Sequence, residues 1–225
     1  MERTIGNLRE ELKQHSDPYA NLSQRASRRA QDLGDGFVLL RAKDEYNQKI
    51  YGESGNVIRE WLEDVTEVIY SEHFVPSLQR WARLRLPNGQ IARCAWKEKQ
   101  KALNKVRISR NVCIIDPNEG KSYAEVQFFF QAKLADNLES FALVLPYCPP
   151  EQELLEASSN TLYVCAPLGA ESMQVVNSKT ISSVVGMVPF PTVDGKQDGE
   201  RVFVVHKMGL EVESNRGVKE EDNET

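Results

Sequence analysis

From Trp81 onward the apolar positions are spaced for strands. Trp81-Ala82-Arg83-Leu84-Arg85-Leu86 alternates apolar and basic residues, which sets Arg83 and Arg85 on one strand face and Leu84 and Leu86 on the other. Pro87-Asn88-Gly89-Gln90 carries the Asn-Gly signal of a tight hairpin turn, and the run resumes from Ile91 to Trp96. Further strand patterns follow at Asn111 to Ile115, Tyr123 to Leu134, Phe141 to Cys148, Thr161 to Cys165, Met173 to Val176, Ile181 to Val188 and Arg201 to His206. Pro149-Pro150 interrupts the series, and Glu151 to Ala157 reads as a short helix. About nine strands joined by turn-like residues predict a small antiparallel barrel or a strongly curved sheet.

Before residue 80 the period is helical. Ile5, Leu8 and Leu12 predict a short amphipathic helix, and Asp17-Pro18 opens a second that Gly34-Asp35-Gly36 stops near Leu33. Arg25, Arg28 and Arg29 stud that helix as a solvated face. Phe37-Val38-Leu39-Leu40 is too short for periodicity to decide between strand and helix. After a cap at Ser54, residues Val57, Ile58, Trp61, Leu62, Val65, Val68 and Ile69 form one apolar stripe, to be buried against the sheet that follows. Glu60, Glu63, Asp64 and Glu67 fall on its polar side. The expected organisation is a helical region over 1–75, a mainly β, barrel-like unit over 76–212, and a disordered acidic tail over 213–225. The fold class is α+β, mainly β.

Charge is unevenly distributed. The chain carries a formal −5, yet Pro76 to Arg110 holds ten basic residues: Arg80, Arg83, Arg85, Arg93, Lys97, Lys99, Lys101, Lys105, Arg107 and Arg110. Only Glu98 opposes them, so this segment is +9 and the remainder −14. Trp81 and Trp96 flank the hairpin inside it. Cations meet phosphates and aromatic faces meet bases in nucleic-acid binding, so Arg80, Arg83, Arg85, Arg93, Lys97, Lys99, Lys101, Trp81 and Trp96 are the candidate contacts. The structural alternatives put both tryptophans in the core and leave the cations to solvate an edge hairpin, or let the acidic remainder of the chain neutralise them.

Other chemistry is sparse. Cys94, Cys113, Cys148 and Cys165 form no C-x-x-C pair, and His15, His73 and His206 are scattered, so the cysteines read as small buried hydrophobes in a reducing compartment, with zinc or disulfide roles the lesser alternative. No metal and no cofactor is expected. Gly120-Lys121-Ser122 ends like a phosphate loop, but Ile115 stands where that loop needs a glycine, and a turn between strands explains it better. No nucleophile stands beside a base, so no catalytic residues and no small-molecule substrate are assigned. No run of 18 apolar residues suggests a membrane span, and the N-terminus is charged and amphipathic, so an intracellular, nuclear protein is expected.

The string Trp81 to Arg93, followed by Ala95-Trp96-Lys97-Glu98, resembles a module in large reading frames of fungal transposons. Ala124 to Phe130, Leu154-Leu155-Glu156-Ala157-Ser158, Val175-Val176 and Ser182 to Val185 are similar to the same module. The likeness spans roughly 36–210 and is most specific in the Leu-Pro-Asn-Gly-Gln hairpin. Those reading frames resemble CACTA-type or Kyakuja–Dileera–Zisupton-type transposases, in which this region follows the catalytic part. Such transposases need a carboxylate triad on a ribonuclease-H-like fold, which nothing here matches. The resemblance therefore implies a non-catalytic accessory module with DNA or a protein as partner. The order of β runs, short helix and final strands around Glu125 to Val205 is loosely similar to bromo-adjacent-homology chromatin modules. That similarity implies, as the alternative, a protein-interaction or chromatin-reading role with Tyr123, Phe128 and Phe130 as an open aromatic pocket. An enzyme remnant is the second alternative.

Overall fold

The computed structural model describes residues 30–42, 47–100, 102, 108–118, 120–134, 137–189 and 201–206. The expected helices before residue 30, the basic residues Lys101, Lys105 and Arg107, and the acidic tail lie outside them.

In chain order the strands are β1 (Ala30–Asp32), β2 (Val38–Ala42) and β3 (Gln48–Lys49), followed by the helix α1 (Gly52–Thr66). β4 (Ser77–Leu78), β5 (Arg80–Arg85) and β6 (Ile91–Arg93) lead to the one-turn helix α2 (Ala95–Glu98). Next come β7 (Asn111–Asp116), β8 (Gly120–Leu134), β9 (Asn137–Pro146) and the short helix α3 (Gln152–Ala157). β10 (Val164–Cys165), β11 (Gln174–Asn177), β12 (Ile181–Pro189) and β13 (Val202–His206) complete the described chain. The protein is mainly β, built on one large antiparallel sheet with few helices.

The long strand β8 organises the sheet. One of its edges pairs with β9 throughout, from Ala124–Pro146 to Leu134–Asn137. The other edge is shared: Asn111 to Asp116 of β7 cover its first half, and Arg80 and Trp81 of β5 meet Phe130 and Phe129 further along. Two arms diverge from it. One runs through β5 to β2 and β1, with β6 beside β5; the other runs through β7 to β12, β13 and β10. Aromatic and β-branched residues suit such a doubly covered strand, and Val126, Phe129 and Phe130 are fully buried. Leu39, Leu84, Ala92, Val112, Ile114 and Ile181 join the same core.

Three expectations are corrected. No strand pair among the described residues closes the sheet, so it is open rather than a barrel. Ala30–Asp32 is a strand, not the end of a helix: Gly34-Asp35-Gly36 turns the chain into a β1–β2 hairpin, and β2 then pairs with β5. The boundary at residue 75 consequently falls inside one sheet. Finally, the α1 stripe ends early. Ile58 is buried and Val57, Trp61 and Leu62 pack on the core, with Trp61 against Phe130 and Phe141 at 5.6 and 4.6 Å. The helix then stops at Glu67 in a left-handed conformation, leaving Val65, Val68 and Ile69 exposed.

Candidate nucleic-acid interface

The β5–β6 hairpin is closed by the turn its sequence predicts. The Gly89 amide donates to the Leu86 carbonyl at 3.0 Å, the Leu86 amide donates to the Gln90 carbonyl at 2.9 Å, and Asn88 Oδ1 accepts from the Gln90 amide at 3.0 Å. Gly89 has φ +79°, a conformation that costs glycine little and other residues more. The tip is anchored to the second arm. Asn88 Nδ2 donates to the Ser182 carbonyl at 2.9 Å, Gln90 Oε1 accepts from the Val184 amide at 2.7 Å, and Gln90 Nε2 donates to the Val184 carbonyl at 3.4 Å. A side-chain amide thus pairs with β12 as a strand peptide would. From the other side, Gly36 lies so close to Pro87 that a Cβ there would stand 3.3 Å from its Cα.

On this fixed hairpin the alternation sorts charge from core. Leu84 sits opposite Leu39 and Ala92, all fully buried. Arg83 sits directly opposite Arg93, and Arg85, two residues on, projects from the same face and is exposed. Arg83 and Arg93 are half-buried. Among the described residues no carboxylate pairs with Arg85 or Arg93. The register sets these three arginines on one face of the hairpin.

Trp81, Trp96, Arg80 and Lys97 are engaged elsewhere, and Lys101 lies outside the described residues. Trp81 shares strand parity with Arg83 but is 2% exposed, because there β5 pairs with Phe129 of β8 on one side and Ala42 of β2 on the other. A ring so placed has no face for a base, which corrects its role as a stacking group. Trp96 lies in α2, not on a strand, and packs partly buried against the core. The Arg80 guanidinium stands over its ring at 4.3 Å and Lys97 Nζ at 5.4 Å, so the ring is already engaged by cations. Arg80 itself points to the opposite side of β5 from Arg83, where it also donates to Gln48 Oε1 at 2.6 Å. Lys97 donates to Gln100 Oε1 at 3.3 Å, and Lys99 is exposed.

Arg110 is neutralised outright. It bridges Glu98, itself 1% exposed, and Glu125. Burial works against its charge, but the hydrogen bond and charge of Glu125, then those of Glu98, more than offset that and hold its pKa above the ordinary arginine value. Sequence separation hid this triad: the partners come from α2, the approach to β7, and β8.

The aromatic-pocket alternative loses its residues. Tyr123, Phe128 and Phe130 are 2%, 3% and 0% exposed, so they are core. A different aromatic group lies at the far end of the sheet. Tyr123 Oη and His206 Nε2 are 3.0 Å apart, and Lys121 Nζ stands over the Tyr163 ring at 4.9 Å and that of Tyr123 at 5.6 Å. Burial first, then Cys113, Tyr163 and Cys165, raise the Tyr123 pKa above the ordinary phenol value. Beside this group is an open apolar cleft of about 670 Å³ lined by Leu162, Tyr163, Val188, Phe203, Val205 and His206. Nothing in the spacing of these residues pointed to it.

Among the described residues no three His, Cys, Asp or Glu side chains are arranged to hold a metal ion, and no helix is long and apolar enough to cross a membrane. The chain matches no protein-family model, no curated protein and no solved structure.

Proposed function

We propose that this chain is a non-catalytic accessory module of a transposon-encoded protein, working in the nucleus, and that it contacts DNA through Arg83, Arg85 and Arg93. One observation carries the reading: the ladder register sets two arginines directly opposite each other, with a third beside them on the same face. A phosphate laid across this face would accept charge-assisted hydrogen bonds, and guanidinium groups suit phosphate because they can bond it bidentately. The +9 balance of the surrounding segment supplies longer-range attraction in a chain that is acidic overall.

The mode of contact follows from the tryptophans. With Trp81 buried and Trp96 occupied, the hairpin offers cations without stacking faces, which favours the backbone of a duplex over the bases of a single strand. The test is binding to duplex DNA across a series of salt concentrations, comparing the parent with a variant in which Arg83, Arg85 and Arg93 are all glutamine. Each lost phosphate contact should flatten the slope of log affinity against log salt by about 0.9. Identical slopes for parent and variant would sink the DNA reading. A second reading, a protein-interaction module, draws on the apolar cleft, where Leu162, Val188 and Val205 are exposed. It expects partner binding that salt barely weakens.

A further inference from the structure

Three cysteines belong to the smaller of the two core clusters, on the arm formed by β7, β12, β13 and β10. Cys113 and Cys165 are buried beside Tyr123, Val185 and Val204, and Cys148 packs half-buried against the same cluster. All three are free thiols. The backbone holds Cys148 and Cys165 close. Tyr147 bridges Pro167 in an antiparallel sense, and the Cys148 amide donates to the Ala166 carbonyl at 2.9 Å. The Ala166 amide in turn donates to the Cys148 sulfur at 3.1 Å. That nitrogen is two covalent bonds, of about 1.3 and 1.5 Å, from the Cys165 Cα, which places the Cys148 sulfur within about 6 Å of it. A disulfide needs the two sulfurs at about 2.0 Å, which rotation of the two neighbouring side chains has to supply. The Cys165 thiol pKa is pushed up to about 11, by burial first and then by Cys148 and Glu151, so the two sulfurs interact electrostatically.

We propose that Cys148 and Cys165 form a thiol pair that a peroxide closes into a disulfide. Cys148, the more accessible member, meets the oxidant. Its sulfur attacks the peroxide, an S–O bond forms and the O–O bond breaks, and the sulfur loses two electrons while the departing oxygen takes the thiol proton. The Cys165 sulfur then attacks that of Cys148, the S–O bond breaks, and the leaving hydroxide takes the Cys165 proton as water. Two thiols and one hydrogen peroxide give one disulfide and two waters. The bond closes the loop that contains α3 and the cleft residues Leu162 and Tyr163, so oxidation stiffens one wall of the apolar cleft.

The experiment treats the full folded chain with hydrogen peroxide, blocks the remaining thiols, and maps the peptides by mass spectrometry. The expected product is a Cys148–Cys165 cross-link lacking the two thiol hydrogens, with Tm raised by a few degrees and restored by dithiothreitol. Cys148→Ser, at a half-buried position, should abolish both the cross-link and the Tm shift. Cys165→Ala should leave Cys148 to proceed to sulfinic acid. Sulfinic acid at Cys148 in the parent without a cross-link, a cross-link through Cys113, or unreacted thiols would each overturn the assignment.

Discussion

Trp81 and Arg83 stand two residues apart on one face of β5 and are treated differently by the fold. Trp81 lies where β5 joins β8 and is covered; Arg83 lies where β5 joins the three-residue β6 and stays partly open. Burial of a large ring contributes roughly 2–3 kcal/mol, whereas burying an unpaired guanidinium costs more than that, so the register assigns each residue to the environment it tolerates. Cys94 shows the same principle in its titration. It is fully buried, and burial is the largest cause pushing its thiol from 9.0 up to about 11. Between those values the native state holds a proton that the unfolded chain has lost, so stability falls as pH rises from about 9 to about 11 and this group adds no further slope above that. The loss is on the order of 2–3 kcal/mol. Urea unfolding at a series of alkaline pH values should show a shallower decline for Cys94→Ala than for the parent; parallel curves would refute the assignment.

Element by element, α1 has the most specific local chemistry. Its burial rests on Ile58 and on Trp61 meeting two phenylalanines, and its first turn passes close to the chain that precedes it. At Gly55 an added Cβ would land on the Ile50 carbonyl oxygen. In an ordinary helix interior Gly→Ala gains about 1 kcal/mol. Here backbone overlap reverses the sign, and Gly55→Ala should lower stability by roughly 1–3 kcal/mol. A thermal melt decides it, since a raised Tm would mean the helix start moves away without cost. Elements of this size were largely legible beforehand. Most strands from 111 to 206, the Asn-Gly hairpin and the short helix ending at Ala157 stand where alternation and turn residues place them, but of the run Thr161 to Cys165 only Val164–Cys165 is strand. Phe37-Val38-Leu39-Leu40 is undecidable from sequence, because only pairing with Leu84 and its neighbours makes it a strand. The run from Ile91 to Trp96, expected as strand, breaks at Cys94 into a helical turn.

At the scale of the molecule, two arms of a sheet diverge from β8 and are rejoined by polar side-chain contacts, among them those of Asn88 and Gln90. Gln90 bonds both polar atoms of Val184, taking the place of a strand that would have closed a barrel. Gln90→Ala leaves the Val184 amide without that acceptor and should cost about 1–3 kcal/mol. Gln90→Glu keeps the acceptor but sets a carboxylate against the Val184 carbonyl, so it should not rescue the loss. Full stability in the glutamate variant, measured by urea denaturation, would show that the donor half of the pair contributes nothing. Because the same tip carries the arginine face, loosening it should also weaken any duplex contact.

The sequence by itself determined the class of fold, most strand positions, the hairpin turn and the sorting of Arg83 and Arg85 away from Leu84 and Leu86. Each depends on a period of two or on residues adjacent in the chain, and local sterics and burial act over that distance. Only the tertiary structure decided that Trp81 is buried, that Arg80 and Lys97 are drawn to Trp96, that Arg110 is neutralised by two glutamates, and that the sheet remains open. Those outcomes depend on which edge of β8 each strand occupies and on contacts between residues far apart in the chain, as Gln90 and Val184 are at 94 positions. A one-dimensional pattern records which face a residue takes, but what covers that face is supplied by distant chain.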